Sequence, residues 1–109
     1  MFICVGVQHE VQLMAEVVAF VPNLMDRSRF PSSVTFIKSA DQLAEYSPRL
    51  IVVDIDRCED VAGFVVGGVE TIGFGPHVES ALASEAIDAG YVKVFTRSVF
   101  FKRCKSLLG

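Results

Sequence analysis

Nothing in this chain is long and apolar enough to cross a bilayer as a helix, which takes ~20 residues. The longest charge-free run near its centre, Val61 to Val69, spans nine residues and holds three glycines. Basic charge is not in excess: 10 Lys and Arg stand against 13 Asp and Glu, for a net charge of −3. That balance argues against a non-specific grip on nucleic acid or on anionic membrane. Cysteine is scarce. Cys4, Cys58 and Cys104 are odd in number and widely spaced, so they suggest neither a disulfide framework nor a zinc site. No positive side chain precedes Arg27, so the apolar start lacks the basic segment of a secretory signal. Gly-x-Ser-x-Gly is absent, and Gly73-Phe74-Gly75 is too short for a dinucleotide fingerprint. These exclusions leave a cytoplasmic protein with reduced thiols as the expectation.

What is present is a well-populated core. Hydrophobic residues make up 51% of the 109, enough for one domain over 1–109 and too few for two. Leu50-Ile51-Val52-Val53 is an unbroken apolar run that ends at Asp54, with Ile55 and Asp56 beyond. Such a run predicts a strand buried on both faces. An acid at its carboxyl end lies where open α/β sheets place their sites.

Strands and helices alternate along the rest. Phe2 to Val7 predicts the first strand, and His9 to Val21 a first helix stopped by Pro22. Val11, Met14, Val18 and Val21 make one apolar row on that helix, with Leu13, Val17 and Phe20 beside it. Asn23 to Ser33 reads as loop and Val34 to Lys38 as the second strand. A helix capped by Ser39 follows, and then the strand ending at Asp54. Only a short helix, Glu59 to Val65, fits before the next strand, Val69 to Phe74. Gly75-Pro76 predicts the start of a fourth helix with Glu79 in its first turn and Gly90 past its end. Tyr91 to Phe95 is the fifth strand. Ser98 caps a last helix whose Phe101, Cys104 and Leu108 face inward.

Five βα units in succession imply a parallel sheet with helices on both faces. Lys38 and Lys93 suit sheet edges, where lysine blocks edge pairing. With the second and fifth strands at the edges, the order is 2-1-3-4-5, the flavodoxin-like α/β arrangement, here with a shortened third helix.

Leu50 to Ile55, Ala89-Gly90-Tyr91 leading into Val92-Lys93-Val94-Phe95, and Thr96-Arg97-Ser98-Val99-Phe100 together resemble the receiver domain of two-component response regulators. The resemblance runs over nearly the whole length and makes Asp54 the counterpart of the phospho-accepting aspartate. It also locates departures. The acidic pair that holds magnesium in receivers falls at Gln8-His9, with Glu10 next, and neither Gln8 nor neutral His9 supplies charge. The hydroxyl residue ending the fourth strand is Gly75, and the lysine is Arg97. The stretch after the aspartate is Asp56-Arg57-Cys58.

The resemblance therefore implies a degenerate receiver with no cofactor, which acts as a signalling or regulatory protein-interaction module rather than an enzyme. A homodimer is the expected partner arrangement, and the identity of any other protein partner is open. The docking face implied by the family carries Tyr91, Lys93, Val99, Phe100 and Phe101. Two alternatives stay open. One is a working receiver that uses Asp54 and magnesium. The other is a small-anion sensor in which the Gly75 turn, His77 and Arg97 form a pocket. Cys58 reads as an ordinary loop thiol, and Lys102, Arg103 and Lys105 as a complement to the last helix's dipole.

Overall fold

The computed structural model describes residues 16–77 and 80–108. Within them the chain forms a five-stranded, all-parallel sheet in the order β2-β1-β3-β4-β5. The strands are β1 (Val17–Phe20), β2 (Thr35–Ile37), β3 (Leu50–Asp54), β4 (Glu70–Gly75) and β5 (Lys93–Thr96). Three α-helices accompany them: α1 (Leu24–Arg27), α2 (Ala81–Ala89) and α3 (Arg97–Leu108). Short 3₁₀ segments at Ala40–Glu45, Ile55–Arg57 and Val61–Phe64 take the place of α-helices on the remaining crossovers.

The fold is thus the expected flavodoxin-like α/β arrangement, but β1 falls where the periodicity predicted a helix. Residues 17–20, assigned from the sequence to the end of a helix, are β1. Val17-Val18-Ala19-Phe20-Val21 is rich in β-branched side chains and closes on Pro22, as a buried strand does. Its 3-4-3 spacing with Val11 and Met14 suggested a helix. Pairing on both edges, with β2 on one side and β3 on the other, outweighs that local pattern. The strand expected at Phe2 to Val7 lies outside the described residues, as does Cys4. The segment Asn23 to Ser33, expected to be loop, contains α1. Its first turn is capped by Asn23 Oδ1, which accepts from the Met25 and Asp26 amides at 2.9 and 3.1 Å.

Alternate side chains of the central strands divide into two cores. Val17, Ala19, Leu50, Val52, Ile72 and Phe74 face α3, where Phe100, Cys104 and Leu108 meet them. Val18, Ile51 and Val53 face the other layer, built from Leu43, Ile55, Phe64, Ala83 and Ala86. The α3 side is aromatic. Phe74 and Phe100 stack at 4.7 Å between centroids, and Phe30 packs on Phe100 at 5.6 Å. Phe101, expected to face fully inward, is half-buried and lies under the Arg29 guanidinium at 4.1 Å.

Other boundaries move for local reasons. Helix α2 begins at Ala81 rather than at Gly75-Pro76, because Ser80 supplies the cap by accepting from the Ala83 amide. It ends where Gly90 adopts a φ of +121°, a conformation open to glycine. Helix α3 starts at Arg97 directly after β5. Its first turn is tied by the Thr96 hydroxyl, which accepts from the Val99 amide at 3.3 Å, and not by Ser98.

Gly73 on β4 has a packing requirement. A Cβ there would come within 2.7 Å of Ile55 Cγ2 and 3.2 Å of the Tyr91 ring. Tyr91 cannot swing away freely, because its hydroxyl donates to the Val61 carbonyl at 2.9 Å. Gly73→Ala is therefore expected to lower stability by about 1–3 kcal/mol through overpacking. Urea denaturation is the check, and a neutral effect would show that Ile55 and Tyr91 adjust without cost.

Candidate functional site

The carboxyl ends of β1, β3, β4 and β5 come together at one edge of the sheet, and the charged residues there are Asp26, Asp54, Arg57 and Arg97. Asp54 is the last residue of β3 and only 1% exposed. Its Oδ2 has no hydrogen-bond partner among the described residues. The Arg57 guanidinium lies above it, with Nε 3.4 Å away, close enough for charge attraction but not aligned as a donor. Burial pushes the Asp54 carboxyl above the ordinary aspartate range. Arg57, the Asp56 backbone and Arg97 oppose that shift, and the charge of Asp26 adds to it.

Asp26 is the residue that sequence reasoning missed. It is 5% exposed, in the short helix that follows β1. Arg97, at the first position of α3, donates to both of its oxygens: Nη1 to Oδ2 at 2.8 Å and Nη2 to Oδ1 at 2.6 Å. This fork-to-fork pairing is the strongest form of the arginine–carboxylate contact. Hydrogen bonding by Arg97 holds the Asp26 carboxyl below its usual range against the cost of burial, and the same bond raises Arg97. The signal was present in Asn23-Leu24-Met25-Asp26. An asparagine cap with an acid three residues on marks a helix N-terminus, and Pro22 just before it marks a strand end.

The remaining expected site residues separate into groups. Gln8, His9 and Glu10 lie outside the described residues. Because β1 is Val17–Phe20, the place that follows the first described strand is Val21 to Asp26. Asp56 is exposed beyond Asp54. Gly75 ends β4, and a Cβ on it would meet Ile55 Cγ1 at 3.2 Å. A side chain there would have to displace Ile55 by a few tenths of an ångström. His77 is exposed. Arg97, expected beside Asp54 or in an anion pocket, has both terminal nitrogens on Asp26 instead. The helix N-terminus expected next to Gly75 begins only at Ala81.

Both oxygens of Asp26 are taken by Arg97, and among the described residues no group of three or more His, Cys, Asp or Glu converges as metal ligands. Cys58 is half-buried, and its Sγ lies 3.6 Å from the Ile55 carbonyl. Burial first, then the Asp54 charge, pushes its thiol up to about 11, so it is uncharged at neutral pH and a poor nucleophile. Of the expected docking residues, Tyr91 and Phe100 are buried and present no surface, since one bonds Val61 and the other stacks on Phe74. Lys93 and Val99 are exposed, and Phe101 is half-covered.

No protein-family model, curated protein or solved structure matches this chain. The receiver resemblance accordingly rests on residues and topology alone.

The Asp26–Arg97 pair makes a quantitative expectation. Losing one partner of a buried pair costs about 3–5 kcal/mol. Arg97 is about a third exposed, so water can partly replace it, and Arg97→Ala should cost about 2–3 kcal/mol. Adding Asp26→Asn should recover about 1 kcal/mol, and more than Asp54→Asn recovers, in a double-mutant cycle. The sign with pH follows from the lowered Asp26 value. The pair's contribution is complete above the ordinary aspartate range and disappears as pH falls through the depressed value. The deficit of Arg97→Ala should therefore shrink in acid. Additive effects of Arg97→Ala and Asp26→Asn would contradict the pairing.

Proposed function

We propose that this chain is a degenerate receiver-like domain that works by binding a protein partner and not by accepting phosphate. The observation that carries this reading is the burial of Asp54 to 1% exposure beneath Arg57. A phospho-accepting carboxylate must be anionic, reachable by the donor, and beside a cation that neutralises the developing charge. Asp54 is covered, and its burial favours the protonated form. Arg97, the cation expected to meet a phosphoryl group, is held by Asp26, and Ile55 packs closely beside Gly75.

The working-receiver alternative has a direct test. Incubation with acetyl phosphate and magnesium, followed by intact-mass spectrometry, should give no adduct. A stoichiometric, magnesium-dependent adduct that is lost in Asp54→Asn would overturn the reading.

Binding needs a surface, and the described residues leave apolar side chains exposed near β5. Val92 precedes the exposed edge residue Lys93, and Ile87 lies on the neighbouring face of α2. A second copy of the chain is the simplest partner for that face. Sedimentation equilibrium at ~100 μM should show a dimer if association is worth about 8 kcal/mol, and Val92→Glu should give a folded monomer. A monomeric wild type at that concentration would assign the face to an unlike protein.

A further inference from the structure

A cleft of about 640 Å³ opens at the carboxyl ends of β1, β2 and β3, and Arg57, which also faces Asp54, is one of its lining residues. We infer that it binds a small amphipathic zwitterion, a free amino acid with an apolar side chain. The position is the first argument. In the order β2-β1-β3 the chain reverses its direction of growth at β1, and open α/β sheets take ligands in the crevice outside the strand ends at such a reversal. The volume falls in the range of small-molecule sites.

The wall chemistry selects the ligand class. Phe20 and Phe64 lie side by side with centroids 4.9 Å apart and give the cleft an apolar wall. Lys38 and Arg57 line it as cations, whereas Asp41, Glu59 and Asp60 line it as acids. Two positive and three negative groups give the lining a formal sum of −1, and Arg57 also faces the Asp54 carboxyl. A polyanion such as a nucleoside triphosphate meets net repulsion there. A simple carboxylate leaves the acids unmatched, and a simple amine leaves the cations unmatched. A molecule with one carboxylate, one ammonium and an apolar body matches all three kinds of wall. Cys58 adds a neutral thiol and no thiolate.

The reading is independent of whether Asp54 takes phosphate, so the two can fail separately. Its test uses the full chain, labelled with nitrogen-15 and titrated with L-phenylalanine while amide shifts are followed. Saturable shifts centred on Ser39, Ala40 and Gly63 are expected, with a dissociation constant of about 1 mM. Phenethylamine, which lacks the carboxylate, and 3-phenylpropionate, which lacks the ammonium, should each bind about tenfold more weakly, the loss of one charge-assisted contact. A Cβ on Gly63 would make only ordinary contacts, with Ala40 Cβ at 3.6 Å and Asp60 Oδ2 at 3.7 Å, so Gly63→Leu can grow into the cleft and should abolish the shifts. If Gly63→Leu does not fold, the exposed Lys38→Gln serves instead and should weaken L-phenylalanine but not phenethylamine. Equal affinity for all three probes, no saturable shift with any of them, or tighter binding of adenosine triphosphate would each overturn the inference.

Discussion

A two-pronged hydrogen-bonded ion pair, Asp26 with Arg97, joins the first crossover of this protein to its last helix. The two residues are 71 positions apart. The pair seats α1 and the loop that carries Phe30 over the aromatic layer of Phe74, Phe100 and Phe101. It also sets the electrostatics of the edge. With both Arg97 prongs on Asp26, burial outweighs what Arg57, the Asp56 backbone and the charge of Arg97 do for the Asp54 carboxylate. Burial disfavours the charged form of a carboxylate in that environment.

The central part of the fold was legible because its strands are fully buried. Leu50 to Asp54 reads as a strand in any context, since no helix face tolerates five consecutive inward residues. The edge lysines gave the strand order without any contact information. The first strand was not legible, because Val17 to Val21 is short and continues the spacing of the apolar residues before it. Periodicity cannot separate a short buried strand from a buried helix end. The β-branched content and Pro22 were the better guides. With β1 at Val17–Phe20, the acid that follows the first described strand is Asp26, whereas Gln8 and His9 lie outside the described residues.

The site was legible only in part for a related reason. Asp54 and Arg97 were both placed at the correct edge by strand ends alone. Which acid Arg97 would join depends on where the first crossover descends, and no local pattern encodes that. Likewise helical spacing set Phe101 inward with Cys104 and Leu108, whereas the residue buried with them is Phe100. The stacking on Phe74 settles Phe100 inside, and Arg29 covers Phe101. The cleft beside Arg57 was invisible in sequence, since its walls come from segments between residues 20 and 64 that no motif connects.

The central claim is that Asp26 and Asp54 share an edge but have opposite electrostatic surroundings, one held as an ion and one pressed toward its neutral form. Carbon-detected NMR titration of the two side-chain carboxyls tests it most directly. Asp26 should titrate below the ordinary aspartate value of 3.8 and Asp54 above it, with Arg97→Ala moving Asp26 upward more than Asp54. Coincident midpoints, or Asp54 titrating below Asp26, would contradict the account and restore Asp54 as a carboxylate ready for chemistry.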